Sequence, residues 1–330
     1  MARLSLCVAT WDYDRVRALI DGRVEVEGCE LTYLVLPPEE CFQRAWSGAE
    51  FDVAELGFTS YLIALARGDS PYAGIPVFPS RTFRHSGIYV RDDRGIDRPE
   101  ALRGKRVGVP VYEMAAAVWI RGFLQDDYGV APGAIRWCQG GLEAPGRRTL
   151  FGLRLPDGFP LEPAPAGATL AQMLADGDLD AVISARAPSC FDAGDPHVRR
   201  LFPEFREVER AYYERTHIFP IMHVVGVRRT LVEQHPWLAG SLVKAFAAAK
   251  ALAHADLREV VAPKVGLPWA AAEFAATVRT MGANFWPYGV EANRPTLEAM
   301  ATYVHAQGLT PRALALAEMF VPTTYHEVRI

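Results

Sequence analysis

The chain lacks any apolar run of the roughly 18 residues that a membrane-crossing helix requires, so no transmembrane segment is expected in its 330 residues. It has no C-x-x-C pair and no Cys/His spacing suited to zinc. Its five cysteines, Cys7, Cys29, Cys41, Cys138 and Cys190, are odd in number and read as free thiols in a reducing compartment. No metal is expected. It has no surplus of positive charge: Lys plus Arg number 35 against 39 Asp plus Glu, a net charge of −4. No global field therefore draws in nucleic acid or an anionic membrane. Phosphate-binding G-x-x-x-x-G-K-[ST], dinucleotide G-x-G-x-x-G after a strand, G-x-S-x-G and H-E-x-x-H are all missing. Nucleotide, nicotinamide, triad-hydrolase and zinc-protease chemistry are excluded as first readings, and no cofactor is expected. The opening stretch "MARLSLCVATWDYDRV" holds no apolar core of the about 7–15 residues that a secretory signal needs. It reads as a first strand over 4–9, in a cytoplasmic protein. No repeat or low-complexity tract appears.

What is there is an alternation of strand and helix patterns. Strands are expected at 4–9, 30–36, 51–55, 75–78 and 83–91, with helices at 14–22, 39–47 and 60–67 between them. A second series follows: strand 105–109, helix 114–127, strand 135–138, a Gly/Pro-rich excursion at 139–169, helix 170–176 and strand 179–184. A long strand at 221–228 then leads into helices near 230–235, 237–258, 269–281 and 294–307. This is an α/β pattern. The simplest architecture is two α/β lobes joined by two crossover strands. Lobe 1 is expected over 1–94 plus 224–330 and lobe 2 over 95–223, with a ligand cleft between them.

The stretch "FPSRTFRHSG" (78–87) concentrates cations and hydroxyls on what reads as an extended crossover. Strand alternation would put Arg81 and Phe83 on one face, Arg84 and Ser86 on the other, and His85 opposite Arg84. Other polar or aromatic groups fall at strand-to-helix junctions, where helix N-termini offer unpaired N–H groups. They are Trp11, Tyr13, Phe58, Thr59, Ser60, Tyr112 and Arg186, with Trp119 on the helix that follows and His223 on the second crossover. Singly, each has an ordinary explanation: Thr59 or Ser60 as a helix cap, Trp119 as core, a strand histidine as structure. Together, Arg81, Arg84, His85, Arg186 and His223 suit a small carboxylate held by arginine. The aromatics suit a flat ring.

Several segments, in order and spread over nearly the whole chain, resemble the 4,5-dihydroxyphthalate decarboxylase family: "DVAELGFTSYL", "IPVFPSRTFRHSGIYV", "LRGKRVGVPVYEMAAAVWIRGFLQDDYGV", "GDLDAVISARAP", "FPIMHVVGVRR" and "HPWLAGSLVKAFAAAK". The resemblance implies a two-lobed type II periplasmic-binding-protein-like fold used inside the cell as an enzyme, a carbon–carbon lyase. Two positions depart from the pattern. Ala115-Ala116 stands where Thr-Ala is expected, and Thr216-His217 where Thr-Gly is expected.

Aromatic decarboxylation by this route protonates the ring carbon bearing the carboxylate, with a phenolic oxygen pushing electrons, before CO2 leaves. It needs an acid, cations for carboxylate and a partner for the phenol. The acid is expected to be His85 or His223, with Glu55 or the other histidine on the phenol. Arg81, Arg84 and Ser86 would hold carboxylate, with Arg186 for a second one. Trp11, Thr59, Ser60, Tyr112 and Trp119 would complete the lining. The competing readings are a solute-binding protein for a small carboxylate, or another cytoplasmic enzyme of this fold acting on a different carboxylated ring. Substrate identity and a homo-oligomeric state stay open.

Overall fold

The computed structural model describes residues 3–146, 149, 151–153 and 155–325. Its strands are β1 (Leu4–Thr10), β2 (Cys29–Val35), β3 (Val53–Gly57), β4 (Tyr72–Arg81), β5 (Ile88–Arg91), β6 (Arg106–Val109), β7 (Arg136–Gln139), β8 (Leu161–Pro163), β9 (Ala181–Ile183), β10 (Val198–Arg200) and β11 (Ile221–Arg228). They form two sheets, ordered β2-β1-β3-β11-β4 and β10-β5-β9-β6-β7-β8. Both sheets are mixed. In the first, β1 runs parallel to β2 and β3, and β11 is antiparallel to β3 and β4. In the second, β6, β7, β8 and β9 are parallel, while β5 is antiparallel to β9 and β10.

Each sheet organises one of two units. The first contains the residues up to Arg81, Thr216–Glu298 and those from Leu314; the second contains Thr82–Arg215 and Ala299–Ala313. In the first unit every residue of β3 is buried, the mark of a strand covered on both faces. The helix Leu238–Arg258 buries Leu238, Leu242, Ala245, Phe246, Ala249 and Ala253, an apolar stripe at helical spacing. Leu238, Leu242 and Phe246 share a core with Val8, Val53 and Val225. In the second unit, Leu170, Met173 and Leu174 of the helix Leu170–Asp176 pack with Tyr89, Cys138 and Val182 of the sheet.

The division falls after Arg81 and after Arg215, not at the expected 94/95 and 223/224. The sheets decide this: β5 pairs with β9 and β10 in the second unit, and all of β11 pairs in the first. The segment 299–313, expected in lobe 1, joins the second unit. Tyr303 donates its hydroxyl to Asp126 (2.6 Å), and Gln307 donates to the Val118 carbonyl (3.0 Å) while accepting from Arg121 (2.8 Å). Gly122 makes this joint feasible, because a Cβ there would lie 2.2 Å from the Tyr303 ring. Gly122→Ala is therefore expected to destabilise the protein by about 1–3 kcal/mol, as overpacking does. Urea unfolding checks it, and unchanged stability would show that Tyr303 can step aside.

The strand expected over 83–91 is broken. β4 ends at Arg81, a 3₁₀ turn occupies His85–Gly87 and β5 begins at Ile88. The Gly87 N–H bonds the Arg84 carbonyl (3.0 Å) and the Ser86 N–H reaches a Glu209 carboxylate oxygen (3.4 Å), so these donors are spent locally rather than on a ladder. Strand alternation does not govern Arg84, His85 and Ser86. The excursion at 139–169 contributes β8; residues 147, 148, 150 and 154 of it lie outside the described residues.

Candidate active site

The first unit gathers an acid–base cluster at the middle of its sheet. β11 runs between β3 and β4, so Glu55 lies opposite Val225 and His223 opposite Gly57. Glu55 and His223 are thus diagonal neighbours across the pair. Against β4 the register of β11 shifts on both sides of His223, so the histidine sits at an irregularity. Glu55 is completely buried. Its Oε1 takes the His223 Nδ1–H at 2.5 Å and the Tyr13 hydroxyl at 2.7 Å, and its Oε2 takes the Trp11 backbone N–H at 2.8 Å. Burial pushes the Glu55 carboxyl up. The His223 hydrogen bond and charge, with the Trp11 N–H and Tyr13 hydroxyl, outweigh it and hold the group below the usual carboxylate range. Burial and the Glu55 charge drive the Tyr13 phenol far up, so it remains a neutral donor.

The Glu55 contact occupies Nδ1 of the His223 ring and does not involve Nε2. The ring lies edge-on to Phe42 at 4.9 Å and keeps 18% of its side chain exposed. Arg15 adds a cation nearby: its guanidinium lies between the Tyr13 and Trp286 rings, 4.2 Å from each, and donates to the Pro79 carbonyl at 2.5 Å.

The second unit places His85 differently. It is 1% exposed, stacked on Phe123 at 4.0 Å and edge-on to Phe202 and Tyr212. Burial, with the Arg215 charge, lowers its pKa to about 4, so the ring is neutral at pH 7. A neutral, enclosed imidazole is a poor proton donor. Because its folded pKa lies below the unfolded value of about 6.5, the unfolded chain binds the extra proton first. Stability is therefore expected to fall as pH drops from about 6.5 towards about 4. Replacing His85 with Phe should remove that part of the acid sensitivity in urea titrations; an unchanged pH profile would refute it. Arg84 donates to the Ala185 carbonyl (3.3 Å), and burial lowers its pKa to about 10.

No family model matches the chain. It is, however, 47% identical to the 4,5-dihydroxyphthalate decarboxylase of Comamonas testosteroni over 330 residues, covering 100% of both chains. A second decarboxylase of that name, from Pseudomonas putida, is 46% identical over 202 residues, 61% of this chain and 78% of the relative. The chain belongs to the 4,5-dihydroxyphthalate decarboxylase family. Among solved structures, the periplasmic aliphatic sulphonate binding protein SsuA of Escherichia coli covers 98% of this chain and 99% of its own, with a TM-score of 0.54 and 13% identity. That likeness establishes the fold, an α/β type II periplasmic-binding-protein-like architecture of two lobes.

Within this decarboxylase-family chain the other sequence-predicted residues fare unevenly. Glu55 and His223 meet. Trp11, an exposed residue, joins them through its backbone N–H. Arg81 is buried and occupied with structure: it donates to the Phe219 and Pro287 carbonyls (3.2 and 3.1 Å) and to Asn293, tying β4 to later segments. Thr59 and Ser60 are buried in the first turn of the helix Phe58–Arg67, whose N-cap is Gly57, so neither occupies the expected capping position. Tyr112 and Trp119, expected as flat walls for a ring, have no exposed surface at all. Tyr112 lies under the Arg121 guanidinium at 3.7 Å, and Trp119 packs edge-on against Tyr303 at 5.6 Å; both are core of the second unit. Ser86 lies in the 3₁₀ turn, and Arg186 is exposed just after β9. Among the described residues no group of three or more His, Cys, Asp or Glu side chains is set to hold a metal, and no helix is long and apolar enough to cross a membrane.

Two features escaped the sequence. Tyr13, read as a wall, is a hydrogen-bond partner of Glu55. Glu209 carried no signal, sitting in the highly charged run "EFREVERAYYERT", yet its side chain is only 13% exposed. Of the two departures from the family pattern, Ala115 opens the helix Ala115–Tyr128. His217 adopts φ 53°, the left-handed region that glycine favours, which explains why glycine suits that position.

Proposed function

We propose that this protein is a cytoplasmic, cofactor-independent decarboxylase that releases CO2 from 4,5-dihydroxyphthalate or a closely related hydroxylated benzene carboxylate. Family membership at 47% identity over the full chain supports the reaction class. The observation that carries the chemistry is the Glu55–His223 pair, a buried carboxylate that fixes Nδ1 and leaves Nε2 to act.

In this reading His223, protonated, delivers the Nε2 proton to the ring carbon that bears the carboxylate. A phenolic oxygen of the substrate supplies electron density as the new C–H bond forms. The C–C bond to the carboxylate then breaks, its electron pair restores the aromatic ring, and CO2 departs. One proton is consumed per CO2 released, and His223 recovers it from solvent. Glu55 stabilises the imidazolium and holds its orientation. His223 is preferred over His85 because His85 is neutral and enclosed by aromatic rings.

The test is direct: purified protein is incubated with 4,5-dihydroxyphthalate and CO2 release is measured. Release with formation of the dihydroxybenzoate is expected. Tight binding without release would favour a solute-binding role instead.

A further inference from the structure

The chemistry proposed for the Glu55–His223 pair needs a cation for the carboxylate that the substrate keeps, and the first unit holds one built into the same cluster. Arg15 lies on the helix Asp14–Ile20. Its guanidinium is sandwiched between the Tyr13 and Trp286 rings, 4.2 Å from each centroid. Nε donates to the Pro79 carbonyl (2.5 Å) and Nη1 to Asp14 (2.9 Å). Nη2 has no hydrogen-bond partner among the described residues, and the side chain keeps 15% of its surface exposed. Both walls of the clamp are themselves fixed. Trp286 donates Nε1–H to the Phe78 carbonyl (2.9 Å), meets Phe219 edge-on at 5.3 Å and accepts from Lys250 through its own carbonyl (2.7 Å). Tyr13 is tied by its hydroxyl to Glu55 (2.7 Å), and that hydroxyl lies 3.3 Å from His223 Nδ1. The other cations of this region are turned inward: Arg81 is buried on the Phe219 and Pro287 carbonyls, and Lys250 holds Trp286 and Asn284.

A guanidinium locked in place with one donor left over is pre-organised for an anion, because little side-chain freedom remains to be lost on binding. Asp14 competes weakly for it, being exposed and screened by water. One phenol ring, that of Tyr13, separates this cation from the acid–base pair, a span that a benzene carboxylate can bridge. Charge decides which carboxylate belongs there. The leaving carboxylate gives up its negative charge as CO2 forms, so a cation on it would stabilise the ground state more than the transition state. The retained carboxylate keeps its charge throughout. We propose that Arg15 binds the retained carboxylate of the substrate through Nη2, and so sets the preference of this site for a ring with a second carboxylate. The proposal rests on the decarboxylase reading given above.

The product is the discriminating probe, since 3,4-dihydroxybenzoate keeps the retained carboxylate and lacks the one that left. Initial rates with 4,5-dihydroxyphthalate and calorimetry with 3,4-dihydroxybenzoate are compared in wild type, Arg15→Met and Arg15→Lys. Met fills the space between the two rings without charge. In Arg15→Met, KM should rise about 10–100-fold, the loss of one charge-assisted hydrogen bond, with kcat within about threefold of wild type. Product affinity should weaken by a similar factor. Arg15→Lys, which keeps the charge, should recover part of both losses, and it carries the comparison alone if Arg15→Met does not fold. Product binding that is unchanged by both substitutions, or is absent in an active wild type, would overturn the assignment to the retained carboxylate. A fall in kcat with KM unchanged would overturn it too, since Arg15 would then act only by positioning Tyr13. Failure of the wild type to release CO2 would instead sink the decarboxylase reading on which the proposal rests, an outcome separate from CO2 release that ignores Arg15.

Discussion

Replacing His223 with alanine is expected to lower kcat for CO2 release by about 10²–10⁴-fold, the usual contribution of one positioned proton donor. The protein should stay folded, since the ring is partly exposed at the sheet and its loss opens space towards solvent rather than a sealed cavity. The removal strands Glu55, which keeps only Tyr13 and the Trp11 N–H. Its carboxyl should then rise towards or above the ordinary range, because burial no longer has the imidazolium to oppose it. His223→Gln, which can restore a donor to Glu55 but not a titratable acid, should regain stability without regaining rate. Wild-type turnover in His223→Ala would end the assignment.

The second large effect belongs to Glu55. Removing one partner of a buried ionic pair typically costs about 3–5 kcal/mol, and Glu55→Ala removes the partner of three donors at once. Glu55→Gln is gentler on structure but takes away the charge that stabilises the His223 imidazolium. Its kcat should fall by about a hundredfold or more if the pair works as one unit. The pH dependence gives a separate signature. The folded carboxyl titrates below its unfolded value of about 4.3, so its stabilisation is complete above that value and is lost as pH falls through the lower, folded one. The His85 effect occupies a higher window, from about 6.5 down to about 4. Urea unfolding across both windows separates them: Glu55→Gln should flatten the lower and leave the upper. Identical acid sensitivity in wild type and Glu55→Gln would refute the pairing.

The first sheet and most helices were readable because apolar periodicity is local; the short strands β8 and β10 and the highly charged helix Phe205–Thr216 carry little of it and went unread. A run such as that in β3, or the stripe on Leu238–Arg258, needs no distant information. Glu55 and His223 could be named from their places at a strand end and on a long returning strand. Their union could not, since 168 residues separate them and β11 must enter between β3 and β4 to join them. Arg81 looked like a ligand contact because nothing near it in sequence could satisfy a guanidinium; its acceptors arrive from Phe219, Pro287 and Asn293. Tyr112 and Trp119 follow a strand end, as binding residues do, but core aromatics share that position. The broken strand at Thr82–Gly87 was hidden for the same reason, because the acceptor that helps to hold its turn sits on Glu209.

The strand order of the first sheet also bears on how the protein is made. β3 and β4 leave the ribosome early, yet β11, the strand between them, begins only after about 140 further residues have been added beyond Arg81. At about 5–20 residues per second that interval lasts roughly 7–28 s. Throughout it two strand edges and their apolar faces lack their neighbour, a condition that invites pairing with other chains. The intervening residues meanwhile supply the whole second sheet, so the second unit's strands are all available before the first sheet can close. A nascent chain arrested before Ile221 should therefore depend on holding chaperones, and that dependence should end once Ile221–Arg228 has emerged.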